Sequence, residues 1–163
     1  MTINATPFVA NSVLTAAQMT NLPMGFVDSS GATATTAIVG GTPLAVLTKS
    51  ITIYASRKYR ISASLGFQPS ANSTGNSLYF TVGTLQKVFW YQGETMLANY
   101  PRVVFGSYIS DAAAFGVSSG SSARTFTLYL RCGGNGALIT NPDGIMGASS
   151  AEQLMWIEDI GAA

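Results

Sequence analysis

The stretch Lys58–Phe67, KYRISASLGF, carries the fold in miniature. Successive side chains of an extended strand point to opposite faces. Tyr59, Ile61, Ala63, Leu65 and Phe67 therefore share one face, and Arg60, Ser62, Ser64 and Gly66 share the other. Alternation held over this length predicts a strand with one face in a core.

Reading outward from it, the same pattern recurs between clusters of turn residues. Upstream, Leu44–Tyr54 forms a first long strand-like run. Downstream, the turn-rich QPSANSTGN leads into Leu78, Phe80 and Val82, which alternate with Tyr79 and Thr81; then come KVFWYQ and RVVFGSYIS. After GVSSGSS, the segment RTFTLYL sets Phe126, Leu128 and Leu130 against Thr125, Thr127, Tyr129 and Arg131. Leu154–Ile160 forms the last run, whereas SDAAAF suits a single helical turn. CGGNGA and GIMGASS read as loops, because a central strand tolerates so much glycine poorly. About seven to nine strands punctuated in this way predict an all-β antiparallel sandwich or jelly roll, with a short N-terminal helical turn.

The last run ends on Glu158–Asp159, the sole adjacent acids in the chain. Alternation sends them to opposite faces, so they are not a local catalytic pair. Met155 and Ile157 lie on one face and Leu154, Trp156 and Ile160 on the other, which predicts a strand covered on both sides with its acids at the edge of the core. The expected core is Tyr59, Ile61, Leu65, Phe67, Phe126, Leu128, Leu130 and Trp156.

Composition constrains function. Charged residues are 9% of the 163-residue chain and hydrophobic ones 47%, against a usual charged share of about 25%. A net charge of +1 offers no footprint for nucleic acid or an anionic membrane. Arg57, Lys58 and Arg60 are the single basic cluster, read as a solvated strand entrance. No run reaches the roughly 20 apolar residues of a membrane-spanning helix, so no membrane insertion is expected. The N-terminus lacks the pattern of a secretory signal. Cys132 has no partner cysteine for a disulfide and no CxxC spacing for zinc.

Gly116-Val117-Ser118-Ser119-Gly120 matches the G-x-S-x-G nucleophile elbow, but that chemistry needs a base, and the chain contains no histidine. The same absence removes histidine-based metal sites. The seven acids show no calcium-loop spacing, and no phosphate or dinucleotide fingerprint occurs. No enzymatic activity, cofactor or metal is expected. Of the aromatic residues in VFWYQ, Trp90 is the candidate for stacking on a sugar ring, against packing in the core or at a subunit interface.

At the N-terminus, VLTAAQMTNLPMG places Thr15 as a helix cap with Gln18 completing a capping box, flanked by Leu14 and Met19 and stopped near Pro23. One or two turns are not stable alone and must dock. Leu14, Thr15, Met19, Leu22 and Pro23 are thus the candidate anchor, and the chain divides into an anchor over 1–25 and a sandwich over 26–163.

Taken together, Val13–Gly25, Arg57–Ile61 and the closing Glu158–Gly161 resemble, in order and spacing, the minor tail or minor structural proteins of tailed bacteriophages. The resemblance implies a homotrimeric jelly roll, akin to TNF and C1q heads, mounted on a capsid or tail. It also implies other virion proteins as partners, a place in the virion after assembly in the host cytoplasm, and no catalytic residues. A receptor- or glycan-binding head of a fibre, touching a host-surface glycan, is the rival expectation.

Overall fold

Ten strands form among the residues described by the computed structural model, which are 25–32, 37–138 and 153–163. They are β1 (Gly25–Ala32), β2 (Ala37–Ile38), β3 (Leu44–Tyr54), β4 (Arg57–Pro69), β5 (Asn76–Val82), β6 (Leu85–Gln92), β7 (Arg102–Asp111), β8 (Ser121–Arg131), β9 (Gly136–Leu138) and β10 (Gln153–Ala162). Ala112–Phe115 makes one 3-10 turn. The expected N-terminal helical turn lies outside the described residues. CGGNGA is not wholly loop: its end enters β9, which pairs with β2 and with the end of β4.

The eight longer strands pair as a nest. β1 pairs with β10, β3 with β8, β4 with β7 and β5 with β6, all antiparallel. This is one long hairpin whose tip is the turn at Gly83–Thr84. Gly83 has φ +56° and Thr84 has no positive φ, the pattern of a type II′ turn, whose twist suits the flanking strands. The hairpin is rolled so that β10 also meets β4, and β8 meets β5. The result is two sheets, β1-β10-β4-β9-β2 with β7 beside β4, and β3-β8-β5-β6. This order is a jelly roll.

Between the sheets, Tyr59, Ile61, Ala63, Leu65 and Phe67 of β4 face Leu78, Phe80 and Val82 of β5 and Phe126, Leu128 and Leu130 of β8, all buried. Phe80 lies 5.0 Å from Phe89, 5.6 Å from Tyr108 and 6.2 Å from Phe126, ring centre to ring centre. Gly106 lets β7 approach β6 this closely, since a Cβ there would lie 2.2 Å from the Cβ of Phe89.

Strict alternation fails in β6 for a local reason, and the expected burial of Trp156 fails for a global one. In β6 a bulge leaves Phe89 without a partner, because Leu78 pairs with Trp90 and the next residue, Tyr79, with Val88. A bulge breaks the period of two. Phe89 and Trp90 therefore both pack toward the core, while Val88 and Tyr91 are exposed. Trp156, expected in the core, is half-buried on the outer face of its sheet beside Phe105. β10 is covered on its inner face, by the second sheet, and its outer face has no second layer among the described residues.

Candidate functional site

The basic cluster and the terminal acids meet across β4 and β10. The register sets Glu158 opposite Arg60 and Asp159 opposite Tyr59. A bulge between Asp159 and Gly161 brings Asp159 to Arg57, whose Nε donates to Oδ2 at 2.8 Å and Nη2 to Oδ1 at 2.6 Å. Asp159 Oδ1 also accepts the Gly161 N–H at 2.9 Å. Both side chains are buried. The two-pronged bond to Asp159 holds the Arg57 guanidinium above its ordinary pKa, against the opposing effect of burial. Arg57 is therefore no solvated entrance but half of an internal clasp. Asp159, buried among the described residues, has its carboxylate engaged by Arg57 and the Gly161 N–H. On the outer side Arg60 meets Glu158 at 3.5 Å, and Lys58 meets Asp111 at 4.0 Å.

The outer face of the β10-β4-β7 sheet is the conspicuous surface. Along its centre β4 presents Ser62, Ser64 and Gly66, all small. The rows Leu154–Ser64–Phe105 and Trp156–Ser62–Ser107 cross them. Small residues in the middle leave a furrow over which Phe105 and Trp156 lean, 5.9 Å apart, and Ser62 is buried beneath. Val103, Phe105 and Ile109 remain 55%, 59% and 51% exposed.

The outer face of the other sheet is built differently. Thr48 bonds Thr127 at 3.3 Å and Ser50 bonds Thr125 at 2.6 Å. Tyr79 stacks on Tyr129 at 5.3 Å. These Ser and Thr hydroxyls pair between β3 and β8, while Val88 and Tyr91 are exposed on β6 at the edge of the same face.

Other candidate positions are scattered. Leu14, Thr15, Met19, Leu22 and Pro23 lie outside the described residues. Trp90 is half-buried with its ring edge on Phe67, 6.0 Å away, so it belongs to the rim of the core. Ser118 is exposed in the loop before β8, which enters a strand and not a helix. Cys132 is fully buried, and burial pushes its thiol up to about 12. No group of three metal-binding side chains occurs among the described residues, and no described helix is long and apolar enough to cross a membrane. Val103, Phe105 and Ile109 were missed in the sequence. Their signal is the alternation of RVVFGSYIS, which puts apolar residues on both faces of β7.

No protein-family model matches the chain, and no curated protein matches it. Solved structures similar to it in shape include that of infectious bursal disease virus Gx strain, with 13% identity and TM-score 0.45 over 86% of this chain and 37% of that one. Others are T=1 particles derived from the same virus, with 12% identity and TM-score 0.42 over 99% and 41%, and its VP2 subviral particle, with 12% identity and TM-score 0.41 over 86% and 39%. The chain spans about two-fifths of the length of these structures.

Proposed function

We propose that this chain is a non-enzymatic structural protein of a virion, a β-sandwich that assembles as a homotrimer and decorates a bacteriophage capsid or tail. The observation that carries the reading is the asymmetry of the two sheets. One outer face carries hydroxyls bonded to one another between β3 and β8, with Val88 and Tyr91 exposed on β6 at its edge. The other exposes Val103, Phe105 and Ile109 around a shallow aromatic furrow. Apolar faces of this kind mark sites of association, and obligate interfaces resemble a domain core cut in half. The face also carries its charges as internal pairs, Arg60 with Glu158 and Lys58 with Asp111, so a second copy can meet it without like-charge repulsion. Three-fold closure and the phage tail or capsid setting rest on the resemblance of the motifs around Val13–Gly25, Arg57–Ile61 and Glu158–Gly161.

Light scattering on the purified protein is expected to give about three times 17.0 kDa, and Phe105→Glu to give a folded monomer. Antibody against the chain is expected to label purified particles. A wild-type monomer at micromolar concentration would overturn the assembly reading, and unlabelled particles the virion reading.

A second reading, a glycan-binding head, is favoured by one observation. Arg102 lies over the exposed Tyr100 ring, 4.8 Å from its centre, beside a cavity of about 350 Å³ lined by Thr95, Leu97, Tyr100 and Arg102. Loss of glycan-array signal in Tyr100→Ala would support it, and a blank array with the wild type would remove it.

A further inference from the structure

At one end of the sandwich the β5–β6 turn and the 3-10 turn stand apart over a cavity of about 390 Å³. Val82, Thr84, Leu85, Ala114, Phe115 and Arg124 contribute to its lining. Arg124 is on β8, two residues before Phe126, and alternation gives it the same side as Phe126, Leu128 and Leu130, which are buried in the core. A cation is thus carried on the inward face, at the mouth of the sandwich. Its Nη2 donates to the carbonyl of Gly116. Gly116 has φ +81°, and a Cβ there would lie 3.0 Å from Nη2, so glycine allows this approach.

The remaining donors are not matched. Arg124 Nε is buried without a hydrogen-bond partner. No acid among the described residues lies within ion-pair distance of this guanidinium, whereas Arg57 and Arg60 each have one. A guanidinium offers five N–H donors in a fixed planar fork, and this one, half-buried at the mouth of the cavity, has no counter-charge beside it. Its geometry fits an oxyanion, and a carboxylate can accept two parallel bonds from it. The walls decide which oxyanion. One cation neutralises one charge, and Leu85 and Ala114 offer apolar surface beside it, where a dianionic phosphate would stay poorly compensated. The volume falls at the low end of small-molecule sites, which run from about 300 to 1,000 Å³. We propose that this cavity binds a small monoanionic carboxylate, with Arg124 gripping the charge and the body of the ligand lying against Leu85 and Ala114.

The test is calorimetric titration of the full chain with benzoate and with glucuronate, alongside their uncharged counterparts benzamide and glucose, and with inorganic phosphate. Saturable binding of at least one carboxylate is expected, with none of its neutral counterpart and weaker binding of phosphate. Arg124→Gln is expected to weaken it at least about tenfold with an unchanged melting temperature. Should that variant fail to fold, Ala114→Trp serves instead: it starts from an exposed position in the 3-10 turn, fills the cavity and is expected to abolish binding. The proposal is overturned if neither carboxylate saturates, if the neutral counterparts or phosphate bind as tightly, or if the folded variants bind like the wild type.

Discussion

At the scale of single residues the terminal acids have opposite fates one position apart. Asp159 is buried against Arg57, while Glu158 reaches Arg60 on the outer face. Breaking a buried pair by removing one partner leaves an uncompensated charge, which typically costs about 3–5 kcal/mol, whereas an exposed pair contributes about 0–1. Asp159→Asn is therefore expected to lower the urea midpoint sharply, and Glu158→Gln to move it little. Equal effects would contradict the different burial of the two pairs.

Cys132 gives a pH dependence. Burial raises its thiol from about 9 to about 12, so above pH 9 the unfolded chain loses a proton that the folded chain keeps. The unfolded state then binds fewer protons, and stability falls with rising pH by about 1.4 kcal/mol per unit across that window. Tyr59 and Tyr79, also raised by burial from about 10, add to the loss at higher pH. Thermal melts between about pH 8 and pH 10 check this: Cys132→Ala is expected to flatten the decline that the wild type shows.

Elements bring in what neighbouring strands require of one another. Gly106 is buried in β7 beneath Phe89 of the opposing β6. Gly106→Ala cannot be accommodated unless the sheets shift, and overpacking of this kind costs about 1–3 kcal/mol. Phe89→Leu in the same chain is expected to recover part of the loss, a coupling that a double-mutant cycle would measure. The inside and the outer face of the sandwich also predict a contrast. Phe126→Ala, in the closed core, is expected to cost about 3–5 kcal/mol. Trp156→Ala is expected to cost the isolated subunit clearly less and to weaken self-association. Comparing melting temperature with mass by light scattering separates the two effects.

For the whole molecule, the nested pairing joins β1 to β10, so the two ends of the described sandwich lie side by side. Residues 1–24 precede β1, and their proposed role is attachment to the particle. Cutting the chain just before Gly25 is expected to leave a folded oligomer that no longer enters virions, assayed by complementing a deletion phage. Normal incorporation of the truncated protein would place the attachment surface in the sandwich, with the outer face around Phe105 the first region to mutate.

Local chemistry alone specified β3 to β8 and β10 of this protein, but not β1, β2 or β9. The alternation of Lys58–Phe67 and of Arg124–Leu130 assigns each residue to a face because the period of two is a property of the extended backbone. The missing histidine likewise rules out histidine-based triads and metal sites whatever the fold. Tertiary structure alone decided which strands are neighbours, since β4 and β10 lie about a hundred residues apart in the chain and nothing local records their register. That register put Asp159 on Arg57, 102 positions away, left Arg124 at the mouth of a cavity, and placed Trp156 with Phe105 on an open face. Periodicity says that a residue has a face, and only packing says what, if anything, covers it.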